Sequence, residues 1–484
     1  MNLYVKIMLN LWWVNVVLAI VVIFFGRKNP RSTLIWVMCL TFLPVVEFIL
    51  YLFLGQDYTK SKMFKIKEEE DKYIRNFSNS QIDSIREGKF WYTNSKSREY
   101  DDLIEMSLKL DESFYTQDNE VKLYFSGEDK FQALIEDLKN AEKTIDMQYY
   151  IFKHNKIEKK ILKILEEKAK RGVKIRFIYD AVGGRTLRKS QFKKLKKYGG
   201  RVAIFFPSIF PIINIRLNYR NHRKIVVIDD KIAYCGGFNI GDEYLGKNKR
   251  FGFWRDTHIR IKGNGVWGLK IRFLKDWNYA SGDELKNISE IGKGFNSVGN
   301  SGVQIVTSGP DTTFDNIKNV MFKMINGAKK FIYIQTPYFI PDTGIMDALK
   351  TAILSGVNVN IMIPSKPDHI FVYWASYSYI GELLNMGANC YAYKKGFLHS
   401  KIMIVDDYIS TVGSANMDIR SFMLNFEANA IIYDEKVNQN LKKQFFVDMI
   451  DSIQITKDLY ENRSKIIKIK ESAEIGRASC RERV

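Results

Sequence analysis

The chain has 484 residues, which is too long for one ordinary hydrophobic core and predicts two to four structural units. Its 74 Lys and Arg exceed its 54 Asp and Glu, and the net charge of +20 favours a polyanionic partner, either nucleic acid or an anionic membrane surface. The four cysteines stand singly, which argues against a disulfide framework or a cysteine metal site and favours a reducing compartment.

Two long apolar runs begin the chain. Residues 7–25 hold no charge and residues 34–54 hold only Glu47, and each run has about the ~20 residues that a membrane-spanning helix needs. A secretory signal peptide is the alternative for the first run, but no small-residue cleavage site follows it and the second run comes at once. We therefore predict a two-helix transmembrane hairpin over residues 1–58.

Basic residues around the hairpin set its predicted orientation, because cytoplasmic flanks carry an excess of Lys and Arg. The loop between the spans contains fewer of them than the two outer flanks, which also include the amino terminus. We predict a multi-pass protein of the cell membrane with its main body in the cytoplasm. The loop residues are Arg27, Lys28 and Arg31, and the outer ones are Lys6, Lys60, Lys62, Lys65 and Lys67.

A polar segment follows the hairpin, and after it the same order of strand-like and helix-like patterns occurs twice. Residues 59–118, rich in Lys, Glu, Asp and Ser, predict a juxtamembrane connector with some helix. The run AEKTIDMQYYIF then parallels the later AKKFIYIQTPYF, and each precedes a helix-period segment ending in Gly and a β-rich run. The pattern predicts an α/β fold with two similar halves, residues 119–295 and 296–472, divided near the Gly/Ser/Asn-rich residues 292–302.

One sequence frame recurs in both halves at residues 221–239 and 398–416. Each copy reads His-x-Lys, four apolar residues, Asp, six residues, Gly, two residues, Asn. The chain has only 5 histidines, so two of them in identical frames are a strong signal. The matched pairs are His222 with His399, Lys224 with Lys401, Asp229 with Asp406, Gly236 with Gly413, and Asn239 with Asn416.

The repeated frame predicts phosphoryl chemistry. Residues i and i+2 of a strand point to one face, so we expect each His and Lys to project together. A single histidine cannot easily attack phosphorus and also protonate the leaving oxygen, whereas two half-sites across a pseudo-twofold interface supply a nucleophile and a general acid. Two lysines with Asn239 and Asn416 would surround the phosphate, so that no metal or other cofactor is required.

Other interpretations of the frame remain open. A lone histidine is more often a satisfied, semi-buried imidazole, and a zinc site would need a third ligand that the spacing does not offer. The candidate catalytic set also includes Asp229 and Asp406, which precede turn-like residues. We expect these aspartates to hold the shape of the motif rather than to transfer protons.

The paired motifs resemble those of the phospholipase D superfamily, and up to about residue 472 the chain is similar to the bacterial cardiolipin synthases. The similarity includes RKNPRSTLIWVM in the hairpin and GGFNIGDEYLG after the first motif. It implies phosphatidyl transfer between two phosphatidylglycerol molecules, giving cardiolipin and glycerol through a phosphohistidine. It implies His222 as nucleophile and His399 as acid and then base, and it implies that Asp256 and Glu427 orient the imidazoles.

The chain departs from the family pattern in two places. The residue after the motif glycine, often Ser in the superfamily, is Gly237 in the first copy and Ser414 in the second, so a hydroxyl contact to phosphate is expected on one side only. Residues 473–484, AEIGRASCRERV, replace the short apolar segment with which the family usually ends. We interpret them as a non-native tail.

Three rival functions are compatible with the frame. They are another phosphatidyl transferase or hydrolase of the superfamily, a nuclease, and a non-catalytic scaffold that binds anionic lipid. The hairpin and the intact motifs favour a phospholipid-transferring enzyme. We expect an anionic phospholipid membrane as partner, with phosphatidylglycerol as donor and acceptor and no nucleic acid, and the sequence leaves the oligomeric state open.

Overall fold

The computed structural model describes residues 13–14, 16–20, 72–207, 219–248, 250–283, 297–366, 368, 370–464 and 467–468. The tail at 473–484 and nearly all of the predicted hairpin lie outside these residues. Within the described residues, no helix combines the length and the apolar character that crossing a membrane requires.

The strands of the described part fall into two sets, one in each half of the chain. In the first half they are β1 Thr116–Tyr124, β2 Thr144–Tyr149, β3 Lys174–Asp180, β4 Arg201–Phe205, β5 Arg220–Asn221, β6 Ile225–Ile228, β7 Ile232–Gly236, β8 Phe253–Arg255 and β9 His258–Lys262. In the second half they are β10 Ser301–Ser308, β11 Phe331–Gln335, β12 Phe339–Ile340, β13 Asn358–Pro364, β14 Asn389–Tyr393, β15 Gly396–Leu398, β16 Ile402–Val405, β17 Ile409–Gly413, β18 Met417–Asp418, β19 Asn425–Tyr433 and β20 Ser452–Ile455.

The helices pack on both faces of these strands. They are α1 Lys72–Arg86, α2 Asp101–Asp111, α3 Gly127–Asn140, α4 Lys156–Lys170, α5 Lys193–Lys197, α6 Val266–Ser281, α7 Asn316–Gly327, α8 Thr343–Leu354, α9 Ile370–Met386, α10 Ile419–Met423, α11 Glu435–Ile450 and α12 Lys457–Glu461. Short 3₁₀ helices span Ser95–Tyr100, Lys189–Phe192 and Asp242–Leu245.

The two halves share one strand order. In the first half the order is β4-β3-β2-β6-β7-β9-β1, and the second half repeats it as β14-β13-β11-β16-β17-β19-β10. Strands β2, β3 and β4 are parallel, as are β11, β13 and β14, whereas β6 and β7 pair antiparallel like β16 and β17. Antiparallel pairing of β1 with β10 joins the half-sheets. The prediction of two α/β halves is confirmed.

Helices α4 and α8, which connect parallel strands, begin at capping residues and end at glycines that the sequence shows. The Asn155 side chain accepts a hydrogen bond from the backbone of Glu158 at the start of α4, and Asp342 does the same for Ile345 in α8. Just past the helix ends, Gly172 and Gly356 adopt φ of +90° and +86°. Glycine reaches this left-handed region without the steric cost that a side chain imposes, so it ends each helix cleanly.

A central apolar cluster holds the halves together. It includes Phe273 and Trp277 of α6 from the first half, and Phe426 and Ile432 of β19 from the second, all 2% exposed or less. Each such side chain contributes about 1.5–3 kcal/mol when removed from water. The halves therefore form one body with a shared core.

The described part of the predicted connector also packs into the body. Helix α2 buries Ile104 and Leu108, which are 0% and 1% exposed, in the core of the second half beside Val306 and Ile317. Strand β1 begins at Thr116, ahead of the predicted start of the first half at residue 119.

Candidate active site

The backbone at the start of each His-x-Lys segment hydrogen-bonds to a strand of the other half. Residues 222–224 and 399–401 precede β6 and β16 and are not strand residues, so the strand geometry expected for them is wrong. The physical reason is that β5 pairs in parallel with β19, and β15 with β8. The His222 amide donates to the Phe426 carbonyl at 2.9 Å, and the His399 amide to the Arg255 carbonyl at 2.7 Å.

Each imidazole contacts a carboxylate of the opposite half. His222 Nδ1 lies 2.9 and 3.0 Å from the two carboxylate oxygens of Glu427, and His399 Nδ1 lies 2.7 Å from Asp256 Oδ2. Both carboxylate side chains are 0% exposed, and the imidazoles are 12% and 11% exposed. A carboxylate at Nδ1 requires the ring hydrogen there, which leaves Nε2 of each ring available for chemistry.

Burial controls the protonation of the imidazoles. It lowers the pKa of His222 to about 4, against the opposing charge of Glu427, and it lowers the pKa of His399 below its ordinary value, with Lys401 adding to the effect. Burial by itself would raise the pKa of Glu427, but His222 and Lys224 outweigh it and the pKa is lowered. A neutral His222 beside an ionised Glu427 is therefore the resting arrangement.

Both motif lysines belong to the same cluster. Lys224 Nζ donates to the His222 carbonyl at 2.5 Å, and Lys401 Nζ donates to the His399 carbonyl. Burial lowers the pKa of Lys224 to about 7 and that of Lys401 to about 8, and each lysine also feels the charge of Glu427. Burial disfavours the charged form of both lysines and a nearby anion favours it, so the pair suits the recognition of a phosphate.

The two motif asparagines have different surroundings. Both polar atoms of the Asn239 side chain have a partner, because its Oδ1 accepts from the Ile151 amide at 3.1 Å and its Nδ2 donates to the Tyr244 hydroxyl at 3.2 Å. The Asn416 side chain is hydrogen-bonded to Asp418, while its buried Oδ1 has no partner among the described residues. The two side chains thus differ in their hydrogen bonding, although the sequence frames are identical.

The Gly237 and Ser414 difference has a steric cause. A Cβ at Gly237 would lie 2.0 Å from Asp256 Oδ1, so the first copy has no room for a serine. In the second copy the Ser414 hydroxyl donates to Glu427 and accepts from the Ala428 amide at 3.0 Å. The hydroxyl that was expected to contact phosphate is thus directed at the carboxylate behind His222.

The motif aspartates lie at the far ends of β6 and β16 from the histidines. The Asp229 carboxylate accepts from the amides of residues 142–144 at 2.7–2.8 Å, and that of Asp406 from the amides of residues 329–331 at 2.7–3.0 Å. Their φ values are +52° and +49°. Both side chains fasten the turn that leads into the neighbouring strand, β2 or β11.

We expect Asp229→Asn and Asp406→Asn each to lower the free energy of unfolding by ~1–2 kcal/mol, because a neutral amide replaces the charged acceptor of three N–H groups. Asparagine tolerates positive φ, so backbone strain should not add to this loss. The kcat should fall less than about threefold. Urea unfolding followed by tryptophan fluorescence, together with turnover, checks both statements.

Asp230→Asn is the matched control for these variants. Asp230 has φ of +56° but its carboxylate pairs with Lys270 instead of capping backbone amides. Its replacement should therefore cost less stability than that of Asp229. A hundredfold loss of kcat in Asp229→Asn at unchanged stability would contradict the shape-holding role.

Two aromatic rings beside the imidazoles were missed by the sequence reasoning. The Tyr150 ring centroid lies 5.1 Å from that of His222, and the Trp254 ring centroid lies 5.2 Å from that of His399. Trp254 lies on β8 and stands two residues before Asp256, which directly follows that strand, a spacing that could have identified it. Tyr150 matches Pro337 in the repeat, so the repeat itself gave no signal.

No group of three or more His, Cys, Asp or Glu side chains that could hold a metal ion occurs in the described part of the chain. The clustered groups are instead two imidazoles, two carboxylates and two lysines. Such a set can attack, protonate and neutralise a phosphodiester.

Comparison with known families agrees with this division of the chain. The family described as "Cardiolipin synthase, PLD-like domain" matches residues 134–254 and 321–449, once in each half. The family described as "Phospholipase_D-nuclease N-terminal" matches residues 13–56, which include most of the predicted hairpin.

Similar proteins cover almost the whole chain. A cardiolipin synthase of Listeria welshimeri is 46% identical over 473 residues, 98% of each chain. The major cardiolipin synthase ClsA of Bacillus subtilis is 47% identical over 469 residues, 96% of this chain and 97% of that one. The phosphatidylserine synthase of Haemophilus influenzae has a similar crystal structure, with a TM-score of 0.59 at 15% identity over 75% of this chain and 95% of that one.

The similarity to the phosphatidylserine synthase structure supports the fold alone. The family match and the similarity to curated proteins over almost the whole chain also identify the family. The chain therefore belongs to the cardiolipin synthase family of the phospholipase D superfamily.

Proposed function

We propose that the chain transfers a phosphatidyl group from one phosphatidylglycerol to the terminal hydroxyl of another, giving cardiolipin and glycerol. The observation that carries this proposal is the crossed pairing of His222 with Glu427 and His399 with Asp256. It joins two imidazoles and two lysines from separate halves in one site, where a nucleophile and an acid can act on one phosphate.

In the first half-reaction, the Nε2 lone pair of His222 attacks the phosphorus and the bond from phosphorus to the glycerol oxygen breaks. Protonated His399 gives its Nε2 proton to the departing glycerol oxygen. Glu427 accepts from Nδ1–H of His222 and stabilises the positive charge that forms on the ring. The product is a phosphohistidine that carries the phosphatidyl group.

In the second half-reaction, neutral His399 takes the proton from a hydroxyl of a second phosphatidylglycerol. The oxygen attacks phosphorus, the bond from phosphorus to His222 Nε2 breaks, and the electron pair returns to the imidazole. Cardiolipin leaves, and both histidines regain their starting protonation. Lys224 and Lys401 neutralise the equatorial oxygens in both steps.

The proposed setting is the cell membrane, with a multi-pass anchor and a cytoplasmic body. The match of residues 13–56 to an N-terminal family of phospholipase D-like proteins supports the anchor. Anionic phospholipid is favoured over nucleic acid because the curated relatives that cover 96–98% of the chain are named cardiolipin synthases. The net charge of +20 suits an anionic leaflet.

The product test uses the full chain in vesicles of pure phosphatidylglycerol, with cardiolipin, phosphatidic acid and free glycerol measured by mass spectrometry. We expect cardiolipin and glycerol in equal amounts, at a rate that EDTA leaves unchanged. Phosphatidic acid in place of cardiolipin would mean that water is the acceptor, and would contradict the proposal. Competing alcohols in the same assay identify the preferred acceptor.

The pH dependence of kcat/KM should have an acid limb near pH 4, where His222 becomes protonated and loses its lone pair. It should fall again as pH rises, first because His399, whose pKa burial lowers, loses its acidic proton, and then because the lysines lose their charge, with pKa values of about 7 for Lys224 and about 8 for Lys401. A bound phosphodiester favours the protonated forms, so the basic limb of kcat should lie at higher pH than that of kcat/KM.

Initial rates in detergent-mixed micelles at high ionic strength check this profile, since salt limits the surface potential of the lipid. Lys224→Arg is the control, because a guanidinium stays charged over the whole range. It should remove the contribution of Lys224 to the basic limb. A value of kcat/KM that stays constant to pH 9 would contradict the assignment.

A further inference from the structure

The middle residue of the first His-x-Lys segment, Arg223, is one of the largest fully buried side chains in the described part of the chain. It is 0% exposed and stands between His222 and Lys224 in sequence. A buried charge persists only when it is paired and hydrogen-bonded, so its partners indicate what it does.

All three nitrogens of the Arg223 guanidinium are engaged. Nε donates to the main-chain carbonyl of Glu427 at 3.0 Å, and Nη2 donates to the carbonyl of Ser308 at 3.0 Å. Nη1 donates to the two carboxylate oxygens of Asp276 at 2.8 and 2.9 Å. The planar fork has fixed geometry, so these bonds set the position of the Glu427 backbone relative to the first half.

Asp276 is itself firmly held. Its carboxylate accepts from Gln148 Nε2 at 2.6 Å and from Arg272 Nη2 at 2.6 Å, and the side chain is 1% exposed. Gln148 belongs to the central strand β2, and Arg272 and Asp276 to helix α6. The anchor of Arg223 therefore consists of packed secondary structure and not of a loop.

A second network of the same composition lies behind the other imidazole. Arg255 donates to the main-chain carbonyl of Asp256 at 2.5 Å and to the Asp448 carboxylate at 2.8 and 3.0 Å. Asp448 also accepts from Gln335 Nε2 at 2.7 Å, and Gln335 matches Gln148 in the repeat.

The two arginines do not match each other in the repeat. Ser400 stands where the first motif has Arg223. Phe426, the residue before Glu427, stands where Arg255 precedes Asp256. Each carboxylate that contacts an imidazole thus has its own main-chain carbonyl held by a buried Arg–Asp pair, although the arginine comes from a different position each time.

We infer that Arg223 is a positioning residue, which holds Glu427 against His222 through the Glu427 main chain, and that Arg255 holds Asp256 against His399. This inference rests on the proposed function for its consequences on turnover. Each arginine is thereby expected to affect one imidazole and not the other. This expectation can be tested by turnover and, independently of turnover, by the pKa of each histidine.

The turnover test compares Arg223→Lys and Arg223→Met with the parent chain. Arg223→Lys keeps a charge for Asp276 but cannot reach both Asp276 and the Glu427 carbonyl in one plane. We expect kcat to fall about 10- to 100-fold with KM within about threefold, since a carboxylate displaced by about 1 Å costs up to about 10²-fold in rate. Arg223→Met should lose more, and the lysine should restore part of the difference.

Arg260→Met is the matched control for the loss of a buried Arg–Asp pair. Arg260 is 11% exposed and donates to Asp137 at 2.7 and 3.0 Å, on strand β9 and helix α3, without a contact to the imidazole pairs. It should lower the melting temperature as Arg223→Lys does, with kcat within about threefold of the parent. Equal losses of kcat in both variants would overturn the inference.

A second readout needs no turnover. The rate at which diethylpyrocarbonate modifies each histidine, followed against pH by peptide mass spectrometry, gives the pKa of His222 and of His399 separately. The charged groups that act on His222 are Glu427, Lys224 and Lys401. Because Glu427 raises the pKa of His222, a displaced Glu427 should lower it in Arg223→Lys and leave His399 unchanged.

Arg255→Lys should give the reverse, with His399 shifted and His222 unchanged. Equal shifts of both histidines, or none, in Arg223→Lys would overturn the inference even in a folded variant. If the parent chain makes no cardiolipin from phosphatidylglycerol, the proposed function fails, and the modification profiles still decide whether each arginine acts on its own imidazole.

Discussion

His222→Ala and His399→Ala should each lower the rate of cardiolipin formation by about 10⁴-fold or more, as expected when one member of a cooperating catalytic set is removed. His222→Ala removes the atom that bonds to phosphorus, and His399→Ala removes the proton that the glycerol oxygen needs. Steady-state turnover on phosphatidylglycerol measures both losses but does not tell the two roles apart.

A donor with an activated leaving group separates the roles. In the phosphatidyl ester of p-nitrophenol, the departing nitrophenolate is stable without a proton, so the general acid is dispensable in the first step. We expect His399→Ala to release a burst of nitrophenol and to keep the phosphatidyl group on His222, where peptide mass spectrometry detects it. His222→Ala should give neither. The opposite pattern would make His399 the nucleophile.

Glu427→Gln and Asp256→Asn should each lower turnover by about 10³-fold or more. An amide can present its NH₂ group to Nδ1, and the imidazole is then held in the wrong tautomer. The crossed pairing makes a specific prediction with the activated donor. Glu427→Gln should suppress the burst, since Glu427 contacts His222, whereas Asp256→Asn should retain it. Pairing within each half would give the reverse.

Ser414→Ala is the control for the carboxylate variants. It removes one hydroxyl donor to Glu427 and leaves the contact between the carboxylate and His222 in place. Its loss of turnover should be about tenfold or less, the usual effect of a single hydrogen bond. Circular dichroism and the melting temperature establish that all variants are folded. A loss in Ser414→Ala as large as in Glu427→Gln would show that the variants act through the local fold.

Much of the fold follows from local sequence patterns. The apolar runs at 225–228 and 402–405 are strands, and the helical periods that end near Gly172 and Gly356 are helices with those stops. Such features depend on residues close together in the chain, where hydrophobic periodicity and backbone freedom act directly. The division into two α/β halves follows from the same patterns, repeated.

Pairings between the halves could not be predicted in this way. The sequence identified Asp256 and Glu427 only through a family resemblance, and it did not say which imidazole each one contacts. That outcome depends on β5 pairing with β19 and β15 with β8, which join residues far apart in the chain. Local propensity carries no information about such partners.

By itself, the sequence determined the two matched His-x-Lys frames, the scarcity of histidine that makes them meaningful, and the α/β alternation around them. Only the tertiary structure decided that the carboxylate beside each histidine comes from the other half, that Asn239 Oδ1 is hydrogen-bonded while Asn416 Oδ1 has no partner among the described residues, and that Arg223 is buried against Glu427. The reason is physical: residue type and spacing fix which groups are available, but burial and long-range pairing fix their partners, their protonation and therefore their roles.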